Sequence, residues 1–119
     1  MSTNENTSLG SIQVSPKVIA TIAYHSAEQS YGVVGMASKN LVDGIANLLV
    51  KDPTRGVDVH YDGEQINIDM YIIVEYGTRI KSVASSVANT VRYNVEKTIG
   101  LPVTHVNVHV QGLRISDLD

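Results

Sequence analysis

The feature that most constrains the fold is a stretch of alternating apolar and polar residues in the middle of the chain. Apolar residues alternate with polar ones over residues 57–61, and a longer alternating run covers residues 66–76. A period of two is typical of strands that bury one face. Asp62-Gly63 lies between the two runs and predicts a two-residue type I′ turn. The chain is therefore expected to contain an antiparallel hairpin with one buried face.

The longer strand of this hairpin separates its side chains into two sets. The set predicted to face the core is Ile66, Ile68, Met70, Ile72, Val74 and Tyr76, and the opposite set is Asn67, Asp69, Tyr71, Ile73 and Glu75. Tyr61 is expected to share the buried face with Tyr76. Tyr71 and Ile73 form an exposed apolar spot on the other face, and tyrosine is enriched at protein interfaces.

Three segments have the spacing of amphipathic helices. Ser15-Pro16 supplies an N-cap followed by proline at the first helical position, and the first helix extends to about Gln29. A second helix is predicted over Lys39–Val50. The third begins after Gly77-Thr78, carries apolar residues at i, i+3, i+4 and i+7, and ends at Gly100.

Short strands complete the pattern. They are predicted at residues 12–14 and 31–36, and a last strand points Val106, Val108 and Val110 inward and His105, Asn107 and His109 outward. Residues 51–56 are predicted to be a loop. The order β-α-β-α-β-β-α-β favours a single α+β domain, with a mainly antiparallel sheet and helices packed on one face. We expect a disordered tail over residues 1–9, the domain over residues 10–116, and a short tail over residues 117–119.

Composition excludes several functional classes. The chain has 119 residues and no cysteine, so thiol nucleophiles, disulfides and cysteine-ligated metals are excluded. The formal net charge of −3 argues against a nucleic-acid partner. The chain start lacks the basic and apolar segments of a signal peptide, and the longest apolar run, residues 70–74, is far shorter than the ~20 residues of a membrane helix. These features predict a cytoplasmic protein with no direct membrane insertion.

The histidines are the weak candidates for a metal site. His105 and His109 are four residues apart, which on a strand is about 13 Å, too far for two rings to share one ion. A site would need His60 from the hairpin beside one of them, with Asp58 or Asp69. We therefore predict no metal and no cofactor, and interpret these histidines as polar groups on a solvated sheet face.

Catalytic machinery is also not predicted. No nucleophile-elbow or phosphate-loop spacing is present, and the carboxylates mostly fall in the polar phase of the strands. Glu75 follows three apolar residues, so among the carboxylates its side chain is the candidate for partial desolvation. Its expected role, however, is to cap the entrance to the third helix. The sequence thus predicts no enzyme, and Tyr71, Ile73 and Glu75 are the candidates for an interaction surface.

The order and spacing of several short segments resemble the alkaline shock protein family, small general-stress proteins of Gram-positive bacteria. The resemblance covers about residues 10–115. The segments that carry it are Gly10-Ser11-Ile12-Gln13-Val14-Ser15, Val18-Ile19-Ala20, Ile22-Ala23, Gly32-Val33-Val34-Gly35-Met36, Arg55-Gly56-Val57, Val74-Glu75-Tyr76-Gly77, Gly100-Leu101-Pro102-Val103 and Val106-Asn107-Val108-His109-Val110. The resemblance implies a non-enzymatic cytoplasmic protein that is linked to cell-envelope stress and self-associates. Some members of the family are held at the membrane by a separate anchor protein, so an anchor or envelope protein is the partner that the resemblance suggests.

Two functional hypotheses follow. The first is an interaction protein that forms homo-oligomers and binds a protein partner linked to the cell envelope. The alternative is a small-ligand or metal-binding accessory domain of a neighbouring metabolic enzyme, for which a pocket lined by Tyr76, Tyr93 and Glu75 would be the sign.

Overall fold

The computed structural model describes residues 15–38, 49–50 and 52–114. The elements in chain order are α1 (Pro16–Glu28), β1 (Val33–Ala37), β2 (Leu49–Val50), α2 (Pro53–Gly56), β3 (Val57–Tyr61), β4 (Ile66–Glu75), α3 (Ile80–Ile99) and β5 (Val103–Arg114). They form one five-stranded sheet with α1 and α3 packed on one face. The predicted α+β class, with helices on one face of a mainly antiparallel sheet, is confirmed.

The central strand of the sheet is β4. One of its edges pairs antiparallel with β3 along Ile66–Met70 and then with β1 along Ile72–Val74. The short β2 pairs antiparallel with β1. The other edge of β4 pairs in parallel with β5 over its whole length. The parallel pair follows from α3, because a helix that crosses back over the sheet returns the chain in its original direction.

The core lies between the helices and one face of β4. The alternating residues of β4 from Ile66 to Val74 are fully buried, as are three valines of α3. The α1 side of this core is made of Ile19, Ala20, Ala23, Tyr24 and Ala27. The two helices are also joined by a polar contact, because the Asn94 side-chain amide donates to Ser26 Oγ at 2.8 Å.

The ends of both long helices follow the predicted chemistry. The Ser15 side chain accepts a hydrogen bond from the Lys17 N–H at the start of α1, and Pro16 occupies the first turn. Gly100 caps α3 in the left-handed region, with φ of 84°. Immediately afterwards, Val103 is fixed to α3 by two side chains: its N–H donates to Glu96 at 2.8 Å, and its carbonyl accepts from Arg92 at 2.7 Å.

The hairpin loop is longer than the alternation predicts. Residues 62–65 connect β3 to β4, so the predicted two-residue turn is wrong. The reason is local: Asp62 Oδ1 accepts the N–H groups of Glu64 and Gln65, which closes a wider loop around its carboxylate. These two hydrogen bonds, the one from Gln65 first, lower the pKa of Asp62.

Other predicted boundaries differ or lie outside the described residues. Leu49 and Val50 pair with β1, so the predicted second helix does not extend to Val50, and its residues 39–48 lie outside the described part of the chain. Residues 53–56 form one helical turn where a loop was predicted. The predicted strand at residues 12–14 and both predicted tails lie outside the described ranges, so the domain limits stay a prediction.

Candidate functional site

The face of the sheet opposite the helices carries a row of paired polar side chains. In the parallel register of β4 with β5, Asn67 lies beside His105, Asp69 beside Asn107, and Tyr71 beside His109. We call these six residues the open-face ladder. The outward set of β5 is as predicted: His105, Asn107 and His109 are exposed, whereas Val106, Val108 and Val110 pack against the core.

Hydrogen bonds connect the two sides of the ladder. His105 Nδ1 lies 3.0 Å from Asn67 Oδ1. Asp69 Oδ1 accepts from the Asn107 amide at 3.1 Å and lies 3.1 Å from His109 Nε2. Because Asp69 bonds two side chains of β5, it fixes the positions of both. This carboxylate carries an ion pair only when His109 is protonated.

The end of the ladder formed by Tyr71 and His109 is aromatic. The rings of Tyr71 and His109 stack with centroids 4.8 Å apart and an interplanar angle of 14°. Tyr71 therefore presents a ring that is held on one side by His109, and His109 is held in turn by Asp69. A surface whose side chains are already ordered loses little side-chain entropy when a partner binds.

Ile73 does not belong to this surface. Its side chain is 0% exposed and lies outside the cluster that packs on the helices, so the predicted exposed spot of Tyr71 and Ile73 is wrong. Ile72, Ile73 and Val74 are all fully buried, and hence both faces of β4 are covered at this point. Such consecutive apolar residues are typical of a strand buried on both sides, which was the available signal in the sequence.

Glu75 contributes mainly through its backbone. Its N–H donates to the Gly32 carbonyl at 2.8 Å, and its carbonyl accepts from the Thr78 hydroxyl at 2.7 Å. At the entrance to α3, where the Glu75 side chain was expected, the contacts are therefore made by the Glu75 backbone. The half-buried Glu75 side chain lies beside Arg114 in the register of β4 with β5. Of the three predicted interaction residues, only Tyr71 joins the open-face ladder.

The candidate metal ligands are not brought together. His60 on β3 and His105 on β5 lie on opposite sides of Asn67, about 10 Å apart at the usual strand spacing. His60 contacts Asp58 at 3.4 Å, whereas His109 contacts Asp69. Within the described residues no group of three or more metal-binding side chains converges. The open-face ladder presents hydrogen-bonding groups and an aromatic stack.

A cavity of about 410 Å³ lies elsewhere, at the start of α3. It is lined by Tyr31, Gly77, Thr78, Arg79, Ser82, Val83 and Ser86. Tyr76 and Tyr93 do not line it, and both are exposed. The predicted burial of Tyr76 is wrong, because β4 ends at Glu75 and the chain turns at Gly77, where φ is 93°. Small-ligand or metal binding stays a prediction.

Relatives with similar sequences extend over almost the whole chain. The uncharacterized protein YloU of Bacillus subtilis (strain 168) is 50% identical over 119 residues, with 98% of this chain and 99% of YloU covered. The uncharacterized protein Spy1614 of Streptococcus pyogenes is 38% identical and covers 97% of each chain. A stress response regulator gls24 homolog of Streptococcus pyogenes is 28% identical over 112 residues, which are 91% of this chain and 61% of that protein.

Solved structures share the fold at low sequence identity. The copper form of the MamM CTD aligns with a TM-score of 0.51 and 19% identity over 86% of this chain and 90% of that one. A zinc form aligns with the same TM-score and 18% identity over 85% and 89%. At this identity the likeness concerns the fold alone.

The model of the alkaline shock protein 23 family, a family described as having a cell envelope-related function, matches residues 4–115. This range includes every described helix and strand and all six residues of the open-face ladder. None of the helices in the described part of the chain is long and apolar enough to cross a membrane. The resemblance noted in the sequence is confirmed, and the chain belongs to the alkaline shock protein 23 family.

Proposed function

We propose that this chain is a non-enzymatic interaction protein that self-associates in the cytoplasm and binds a cell-envelope protein through the open-face ladder. The observation that carries the proposal is the preformed order of the ladder, in which Asp69 holds His109 and His109 stacks on Tyr71. Such a polar and aromatic sheet face suits a protein partner better than a small molecule, which is usually bound in a concave and mostly apolar pocket. The cell envelope-related description of the family supports the class of partner.

Tyr71 is the residue through which the proposal is tested. Buried tyrosines supply much of the binding free energy at protein interfaces, and loss of a central one commonly costs more than about 2 kcal/mol. Tyr93 is a matched control, because it is an exposed tyrosine on α3, on the other side of the molecule. Tyr71→Ala and Tyr93→Ala remove the same atoms from two different surfaces.

The experiment begins with affinity purification of the full chain from its source cell and identification of the proteins that co-purify. The dissociation constant of the purified pair is then measured for the wild type and both variants. We expect Tyr71→Ala to weaken binding by at least about tenfold, or 1.4 kcal/mol, and Tyr93→Ala to leave it within about twofold. Equal affinities for the wild type and Tyr71→Ala would contradict a role for the ladder. A strictly monomeric chain without any partner would contradict the whole proposal.

A further inference from the structure

The outer edge of β5 is the longest open hydrogen-bonding surface among the described residues. β5 has 12 residues, and within the described part of the chain it pairs only with β4. Alternate residues of an edge strand direct their N–H and carbonyl groups away from the neighbouring strand, so this edge can accept another strand.

This edge lacks the features that usually prevent strand pairing. Edges are commonly protected by charged side chains, proline, or short length. Residues 103–113 contain no Lys, Arg, Asp, Glu or Pro, although 18% of the whole chain is charged. The opposite edge of the sheet differs, because β3 has only five residues and includes Asp58. Among the described residues, the β3 edge is thus protected and the β5 edge is open.

The side chains of β5 suit a second copy of the same chain. A two-fold axis perpendicular to the sheet would place two β5 strands antiparallel, and the central residues would then meet the same short segment of the other copy. His105, Asn107 and His109 can each donate and accept hydrogen bonds, and no like charges oppose each other when both histidines are neutral. On the helix side, Val106, Val108 and Val110 are only partly buried, so a second copy would cover a continuous apolar row.

The two ends of β5 limit the register. At the start, the N–H and carbonyl of Val103 are taken by Glu96 and Arg92. Near the end, the pairing with β4 shifts between Val110 and Gly112, which interrupts the regular strand. The regular stretch is therefore 105–110. Because residues directly opposite each other in an antiparallel pair lie on the same face, the two-fold axis passes beside a single residue; an axis at Asn107 places His105 opposite His109 of the second copy.

We infer that two copies of this chain pair through β5, antiparallel and centred on Asn107, to form one continuous sheet. The inference rests on the proposed function, because it names the surface through which the chain self-associates. In this dimer the open-face ladder of each copy remains exposed to solvent. Because the two-fold axis is perpendicular to the sheet, both ladders lie on the same side of the dimer.

The absence of cysteine makes single-cysteine cross-linking a direct test. In the full chain, Asn107→Cys places two thiols opposite each other at the two-fold axis, on Cβ atoms about 4.5–5.5 Å apart. The matched control is His60→Cys, which replaces an exposed residue on the same face of the sheet but at the opposite edge. In the proposed dimer, residue 60 of one copy is separated from residue 60 of the other by five strand spacings, about 24 Å. A short bifunctional thiol reagent that spans about 8 Å should therefore cross-link only the first variant. The solution mass of the wild type is measured by light scattering, and far-UV circular dichroism verifies that both variants fold.

A dimer in which Asn107→Cys cross-links much more efficiently than His60→Cys would support the inference. Asn107→Lys should then weaken self-association at least tenfold, because it places a charge at the paired edge, whereas His60→Lys should not. A dimer that cross-links equally or better at position 60, or not at 107, would overturn pairing through β5 and leave self-association intact. A wild type that is monomeric at every concentration would overturn both the inference and the self-association on which it rests.

Discussion

The protonation of Tyr24, a residue of the core, makes the stability of the fold depend on pH in the alkaline range. Its ring is 3% exposed and lies in the core cluster. Burial, a hydrogen bond to Glu28, and the charges of Glu28 and Asp52 raise its pKa to about 12 from an ordinary value of 10.0. Because the folded chain holds the phenol proton more tightly than the unfolded chain, Tyr24 stabilises the fold below pH 10. This contribution is lost as the pH rises from 10 to 12.

We expect Tyr24→Phe to be less sensitive to this pH range than the wild type. The difference in melting temperature between the two proteins should shrink from pH 9 to pH 12, because the variant has no phenol to ionise at this position. Tyr31→Phe, at an exposed tyrosine, controls for the loss of one titrating group. Parallel curves for the wild type and Tyr24→Phe across the range would contradict the assignment.

Gly32 is a second residue with a specific structural requirement. It has φ of 85°, and a Cβ placed there would lie 2.7 Å from Val83 Cγ2. Gly63 has a similar φ of 96°, with nothing within 4 Å of the added Cβ. Both sites impose backbone strain on alanine, but only Gly32 adds a steric clash in the core.

Gly63→Ala should lower the free energy of unfolding by about 1–2 kcal/mol through strain alone. We expect Gly32→Ala to lose clearly more, since Val83 is buried and has little room to move. In the background of Val83→Ala, the cost of Gly32→Ala should fall towards that of Gly63→Ala. Urea denaturation of the four variants measures this, and an equal loss for the two glycine substitutions would show that the clash is relieved elsewhere.

At the scale of elements, the junction of α3 with β5 depends on one buried backbone group. Val103 is 3% exposed, and its N–H donates to the Glu96 carboxylate at 2.8 Å. Glu96→Ala should destabilise the fold by about 1–3 kcal/mol, because it removes this acceptor from a buried N–H. Glu96→Gln keeps an acceptor oxygen and should lose less. The control Glu64→Ala removes a carboxylate from the exposed hairpin loop. If Glu96→Ala and Glu64→Ala had the same free energy of unfolding in urea, the role of Glu96 at the junction would be refuted.

The elements that the sequence predicts well are those whose pattern is local. The caps of α1 and α3, the hairpin pairing of β3 with β4, and the outward histidines of β5 all depend on neighbouring residues or on a period of two. The parallel pairing of β4 with β5 depends on the path of α3 and is not visible in either strand. The stack of Tyr71 on His109 and the bonds of Asp69 follow from that pairing, so the open-face ladder could be predicted only as a set of separate polar residues.

The predictions that failed involve contacts between distant parts of the chain. The burial of Ile73 depends on what covers the second face of β4, and alternation cannot indicate this. Tyr76 continues the alternating pattern but lies beyond the end of β4, where the turn at Gly77 redirects its side chain. In the same way, the separation of His60 from His105 by β4 became clear only from the strand order.

At the scale of the whole molecule, both long helices and the central strand share a single cluster of buried residues. Met70 is 0% exposed in this cluster, and its removal affects contacts with the helices and the sheet together. We expect Met70→Ala to lower the free energy of unfolding by about 2–5 kcal/mol, through lost burial and the cavity that remains. Val18→Ala, at an exposed position of α1, should change it by no more than about 0.5 kcal/mol.

The aromatic composition offers a direct test of whether the cluster unfolds as one unit. The chain has six tyrosines and neither tryptophan nor phenylalanine, so the near-ultraviolet signal comes from tyrosine alone. Tyr24 lies in the core and Tyr71 on the open face, while far-ultraviolet circular dichroism follows the helices and strands. The two signals should give the same melting temperature in the wild type and fall together in Met70→Ala, at one fixed protein concentration because self-association shifts the midpoint. If the tyrosine signal melted before the backbone signal, α1 or the open face would unfold separately from the rest of the sheet.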